Sequence, residues 1–153
     1  MTATPSDILI TEFTMADHPT VHVLWQRSGL WMRPSDGPEA TALKLERDPD
    51  LFLVARDREG VIVGTVMGGW DGRRAYVYHL AVLPERTRQG IGGLLMDELE
   101  QRFRELGAMK AKLQILTENE ASRAFFARRG YLYETDCEPW GRELMDGGAP
   151  PCR

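Results

Sequence analysis

Cysteine is scarce in this 153-residue chain: Cys137 and Cys152 are the only two, with no CxxC spacing and no histidine cluster beside them. That excludes a disulfide scaffold and gives no basis for a zinc site, so no metal is expected. A basic excess is also missing, because 19 Lys and Arg stand against 23 Asp and Glu for a net charge of −4. A duplex nucleic-acid binder needs a basic face, and an acidic chain supplies one only by segregating its charges, so no nucleic-acid partner is expected. No apolar run approaches the roughly eighteen residues of a membrane span, and Met1 to Asp7 has neither a basic start nor an apolar h-region. A soluble, reduced, cytoplasmic protein without a membrane partner is the expectation. What is present is ordinary for a folded domain, with 42% hydrophobic and 27% charged residues. The length predicts a single domain over 1–153, with a core at about 8–145 and a flexible tail at 146–153.

Periodicity orders the chain. Ile8 to Ile10 reads as a strand, and Val21, Leu24 and Trp25 have the spacing of a helix that Thr14 or Asp17 could cap. Gly29 to Pro38 reads as a loop, and Glu39 to Arg47 as a second helix that stops at Asp48-Pro49. Leu51 to Ala55 and Val61 to Met67, joined by the polar turn Asp57 to Gly60, form a hairpin, and Ala75 to Leu83 is a fourth strand. From Gly90 the period changes, with Ile91, Leu94, Leu95, Leu99, Phe103 and Leu106 on one face of a helix that Gly107 ends. Lys112 to Leu116 is a fifth strand, Ala121 to Arg129 a shorter helix, and Tyr131 to Tyr133 and Arg142 to Met145 are late strands. The order implies an α/β (α+β) fold, with a mixed, mostly antiparallel sheet of six to seven strands and helices on both faces.

Chemistry is concentrated where the fourth strand enters the long helix, through Leu80-Ala81-Val82-Leu83-Pro84-Glu85-Arg86-Thr87-Arg88-Gln89-Gly90-Ile91-Gly92-Gly93. A helix N-terminus presents unpaired N–H groups and a positive dipole end, and glycine lets a phosphate approach the backbone. Two phosphate-binding patterns fail on their letters. Gly92 is followed by Gly93-Leu94 where an NTPase loop needs Lys-Ser/Thr, and Leu95 stands where the dinucleotide fingerprint needs its third glycine.

The pattern Leu-Ala-Val, Pro-Glu, then Arg/Gln-x-x-Gly-x-Gly/Ala ahead of an apolar helix resembles the acetyl-CoA pyrophosphate motif of the GNAT superfamily of N-acetyltransferases. Downstream, Asn119, Ala121, Phe125-Phe126, Arg129, Gly130 and Tyr131 resemble the second signature of that family, and the hairpin of Leu51 to Ala55 with Val63 to Met67 resembles its central one. The resemblance spans about Ile8 to Tyr133. It implies an acetyl-CoA-dependent enzyme that moves an acetyl group to a primary amine by direct attack in a ternary complex, without a metal. The backbone of Leu80, Ala81 and Val82 would hold the pantetheine beside a bulge. Arg86 to Gly93 (Arg86, Thr87, Arg88, Gln89, Gly90, Ile91, Gly92 and Gly93) would hold the pyrophosphate, with Asn119 and Phe126 along the pantetheine arm. Trp25, Trp31, Arg33 and Tyr78 would line a small-molecule or peptide amine site, and dimers are frequent in the family.

Two letters depart from the family pattern. Thr87 stands where Arg or Gln is usual, flanked by Arg86 and Arg88, and Phe126 stands where many relatives place the tyrosine that protonates the leaving thiolate. A phenyl ring donates no proton, so Tyr131, Tyr133 or water takes that role, or the thiolate leaves as the anion. The fourth strand offers Tyr76, Tyr78 and His79 but no carboxylate, which makes His79 the candidate base there. The ordinary fates of the same residues are a hydrogen-bonded structural histidine for His79, a helix cap for Asn119 and core packing for the aromatics. A domain that binds acetyl-CoA without turnover, as a sensor or interaction module, is the alternative that Phe126 keeps open.

Overall fold

The computed structural model describes residues 7–145, so the tail expected at 146–153 lies outside the described residues. In chain order the regular elements are β1 (Leu9–Glu12), α1 (His18–Arg27), α2 (Pro38–Arg47), β2 (Phe52–Arg56), β3 (Ile62–Trp70), β4 (Ala75–Val82), α3 (Ile91–Glu105), β5 (Ala111–Lys112) and α4 (Glu120–Arg128). They fall into two compact units, Met1–Lys112 and Leu113–Arg153, and the first holds all five strands.

In the first unit the strands lie in the order β1-β2-β3-β4-β5, antiparallel except for the parallel pair of β4 and β5. Alternation along β2 separates the two faces. Phe52 and Val54 join Val21, Leu24 and Trp25 of α1 with Phe13, Met67 and Ala81 in one core. On the opposite face α3 buries Ile91, Leu95, Leu99 and Phe103, at intervals of one turn along a single stripe. Gly68 of β3 is the reason α3 lies so close: a Cβ there would stand 2.6 Å from Leu99 Cδ1 and 2.9 Å from Phe103 Cζ. Burying each of these large apolar side chains contributes about 1.5–3 kcal/mol.

Local chemistry sets the boundaries. The turn after β2 is held by Asp57, whose Oδ1 accepts from the N–H groups of Glu59 and Val61 at 3.1 and 2.9 Å. β3 runs on to Trp70, past the expected end at Met67, because the reversal is made by Asp71, whose Oδ1 accepts from the amides of Arg73 and Arg74. Ahead of α1, Asp17 accepts from the Thr14 amide at 3.0 Å and pairs with Arg56 at 2.9 Å.

Among the described residues the sheet has five strands, not the six to seven expected. The fifth, expected at Lys112 to Leu116, is Ala111–Lys112 and shares only Lys112 with that range, and 131–133 and 142–145 form no strand. β-propensity is largely a fit to a pleated, half-buried surface, and these late segments have none: Leu132, Tyr133, Leu144 and Met145 are 87, 90, 87 and 82% exposed. Short apolar runs without a ladder partner do not hold extended structure by themselves.

Candidate active site

β4 is where the sheet becomes irregular. Thr65 pairs with Ala81 and Met67 with Tyr78, so Val66 alone faces two residues, His79 and Leu80. This is a β-bulge, with His79 in the left-handed region at φ 50°. Its position is at the start of the stretch Leu80 to Val82 where the sequence places backbone groups for a ligand. A second feature exposes that stretch further. β5 pairs only with Ala75 and Tyr76, so among the described residues no strand continues along that edge of β4 beyond Tyr76. A strand edge of this kind is a template for amide groups of a ligand to pair with.

β4 then leads through a 3-10 turn at Pro84–Arg86 into the N-terminus of α3. Arg88 at φ 58° and Gly90 at φ 80° turn the chain, and Gly90 is the N-cap of the helix. Glycine relieves the crowding a side chain meets at that angle. The first intrahelical amide bond is from Leu94 to the Gly90 carbonyl, so the amides of Ile91, Gly92 and Gly93 belong to the open first turn. The resulting concavity of N–H groups suits a phosphate. The two flanking arginines differ in role. Arg86 is tied back to the protein, donating to Gln89 Oε1 at 3.0 Å and to Asp57 Oδ2 at 3.1 Å, while Arg88 is exposed on the loop. Thr87 donates its hydroxyl to the Pro84 carbonyl at 3.0 Å, so it shapes the turn.

At the bulge, His79 meets a carboxylate that sequence reasoning did not single out. Its Nε2 lies 2.7 Å from Oδ1 of Asp36, a residue 4% exposed on the 3-10 turn Pro34–Asp36. The other oxygen of Asp36 accepts from the Arg33 amide at 2.8 Å, and its carbonyl lies 3.0 Å from His18 Nε2. Burial pushes the Asp36 carboxyl up, but the bond from His79, the Arg33 amide and the neighbouring positive charge together outweigh it and hold it below the usual carboxylate range. Trp25 is fully buried and its ring lies perpendicular to that of His79 at 4.9 Å between centroids, so it packs against the histidine. No sequence signal joins residues 36 and 79, because their spacing of 43 positions reflects no element period.

The remaining expected residues are distributed as follows. Tyr78 is 46% exposed and stacks on Tyr76 at 6.1 Å; burial, then the charges of Tyr76, Asp48 and Asp71, push its phenol above the usual value, so it stays protonated at neutral pH. Trp31 is 46% exposed on the loop that leads to Arg33. In the second unit, Asn119 caps α4 by accepting from the Ser122 amide at 3.0 Å. Phe126 is buried and meets the rings of Phe125 and Tyr131 edge-on at 5.1 and 5.2 Å. An apolar hollow of about 410 Å³ beside α1, lined by Val23, Leu24, Arg27, Ile62 and Leu83 among others, shares no residue with the Asp36–His79 pair. Arg27, its charged group, is already bound by Glu85 at 2.9 Å. Among the described residues no cluster of side chains could hold a metal ion, and no helix is long and apolar enough to cross a membrane.

Comparison with known proteins gives a consistent result. The family profile described as "Acetyltransferase (GNAT) family" matches residues 11–131. An acetyltransferase of Pectobacterium atrosepticum is 39% identical over 136 residues, covering 88% of this chain and 94% of that protein. One of Sodalis glossinidius is 35% identical over 138 residues, covering 90% and 96%. Among solved structures, a PaiA N-acetyltransferase of Thermoplasma acidophilum in complex with coenzyme A superposes with a TM-score of 0.76 at 21% identity, covering 83% of this chain and 91% of that one. At that identity the likeness is one of fold.

Proposed function

The chain belongs to the GNAT family of acetyltransferases, and from that premise we propose that it is an acetyl-CoA-dependent N-acetyltransferase acting on a primary amine in a ternary complex. One observation carries the reading: a bulged strand with an open edge runs directly into a helix N-terminus whose turn is held by Arg88 and Gly90 at positive φ. Those parts fit the two ends of the coenzyme. The amides of Ile91, Gly92 and Gly93 would receive the pyrophosphate, Arg88 would add charge, and the backbone of Leu80 to Val82 would pair with the pantetheine amides. Acetyl-CoA supplies an activated thioester; the acceptor's C–N bond forms as the C–S bond breaks.

The protein's part is then positioning and proton transfer. Its bulge would orient the thioester, and His79, beside it, would take the proton the ammonium group must lose before its lone pair can attack. For Asn119, Phe126 and Tyr131 the ground for a role at the coenzyme, with Tyr131 as proton donor to the thiolate, is the family resemblance alone. We take 1–153 as one catalytic domain, which the profile match across both units supports. A cytoplasmic location, a small-molecule or peptide acceptor and a homodimer belong to the same proposal.

A second reading is a coenzyme-binding module without turnover, favoured by Phe126, which carries no ionisable proton where many relatives place a tyrosine. Thiol release separates the two. Pure protein incubated with acetyl-CoA and a panel of peptide, polyamine and amino-sugar acceptors is expected to release coenzyme A well above background with at least one. Tight coenzyme binding with no amine-dependent release across the panel supports the module instead.

A further inference from the structure

We infer that Asp36 is the positioning residue of the base: its carboxylate holds His79 in the tautomer with the proton on Nε2, leaving the lone pair of Nδ1 to take the acceptor's proton. The inference rests on the acetyltransferase reading above, with His79 as base, and adds a residue from outside both family motifs. Geometry is the first ground. A buried carboxylate oxygen 2.7 Å from Nε2 accepts only if that nitrogen carries the hydrogen. The carboxylate is itself fixed, since its second oxygen is bound by the Arg33 amide across the 3-10 turn, so it cannot swing away from the histidine. Trp25 braces the imidazole from the side, edge to face. The ring is thus held by one hydrogen bond and one aromatic contact, while 22% of the side chain stays accessible at the bulge. The depressed Asp36 carboxyl agrees with a charged acceptor there.

Chemistry is the second ground. An amine acceptor enters as an ammonium ion and must lose one proton. An imidazole whose tautomer is undetermined presents an N–H at either nitrogen, and half of those arrangements repel an ammonium. A carboxylate at Nε2 removes the wrong tautomer and stabilises the imidazolium that forms once the proton has moved. The titratable and charged groups at the pair are His18 from α1, bound at the Asp36 carbonyl and with His22 5.6 Å beyond it, and Arg33, the N-cap of the 3-10 turn. None is a second carboxylate that could replace Asp36.

The test is Asp36→Asn. The carboxamide has the same shape and its oxygen can still accept from the Arg33 amide, but its NH2 then faces His79 and donates to Nε2, which moves the ring proton to Nδ1. Two readouts decide. In 15N spectra of the imidazoles, the wild-type His79 is expected in the Nε2–H tautomer when neutral, and the variant in the Nδ1–H tautomer. In acetyl transfer, kcat at neutral pH is expected to fall about 100-fold, the lower range of a general base's contribution, with KM for acetyl-CoA within about twofold and the acid limb of the pH profile displaced or lost. His79→Gln, which can still donate to Asp36, is expected to lose as much. The double variant should lose no more than His79→Gln alone, because two residues acting through one ring are not additive. A wild-type Nδ1–H tautomer, a full-rate Asp36→Asn, or losses that multiply in the double variant each overturn the positioning role. Wild-type protein without turnover on any amine is a different result: it overturns the function proposed above, and the role of Asp36 with it.

Discussion

Gly90 sits at φ 80° as the N-cap of α3, where an alanine methyl would crowd the following carbonyl. Gly90→Ala is expected to cost about 1 kcal/mol of stability, read from the thermal midpoint. The loop can relieve that strain only by moving the amides that would meet the pyrophosphate. Calorimetric titration with coenzyme A should therefore show binding weakened about tenfold, equivalent to about 1.4 kcal/mol. Unchanged affinity would remove this loop from the site. At the same scale, Arg86 and Arg88 read alike in sequence but differ in the fold. Asp57, 29 positions before Arg86, holds the first in place, and a chain position cannot show that a charge is already committed. Asp36 was hidden for the same reason, since the stretch Gly29 to Pro38 reads as a loop with two prolines and two glycines until the bulge of β4 comes to meet it.

Elements are decided by packing. The stripe of α3 was readable because helix periodicity is a local property, and so was the hairpin of β2 and β3, whose turn Asp57 closes through its own side chain. Leu99→Ala should destabilise the protein by about 2–5 kcal/mol in urea unfolding, with the m-value unchanged. Gly68→Ala should cost about 1–3 kcal/mol, because its methyl would meet Leu99 Cδ1 at 2.6 Å. The double variant tests whether the two faults share one space. The Gly68 methyl can occupy what the Leu99 side chain leaves, so the combined loss should be smaller than the sum of the two. Full additivity would mean that the methyl's cost lies in its contacts with Phe103 and the Leu51 carbonyl, which the Leu99 variant leaves in place. The late strands failed at this scale, since a short run of strand-favouring residues at 131–133 or 142–145 states a local preference and says nothing of a partner.

For the molecule as a whole, charge governs the response to acid. The carboxyls of Asp36 and Asp17 both lie below their ordinary range in the fold; burial opposes this in each, and bonds from His79 and the Arg33 amide, or from Arg56 and Thr14, prevail. The unfolded chain therefore binds these protons at a higher pH than the folded one. Their stabilisation is complete above the unfolded value of about 3.9 and is lost as pH falls through the depressed folded values. Thermal midpoints should thus decline from about pH 5 downward, and Asp36→Asn should flatten that decline. A variant as acid-sensitive as wild type would show that Asp36 is not held charged by its neighbours. The net charge of −4 describes the surface and does not reveal that the loop proposed to meet the coenzyme carries an exposed arginine and a row of free-facing helix amides.

By itself, the sequence determined the acetyltransferase family, the helices, the hairpin and the glycine-rich entry to α3. These rest on residues close together in the chain, where spacing and turn chemistry act before any tertiary contact exists. The tertiary structure decided the count of five strands, the bulge at His79 and Leu80, the capture of Arg86 by Asp57 and the pairing of Asp36 with His79. Each of these joins residues far apart in sequence, through contacts that burial and close packing create only once the two faces of the sheet are covered.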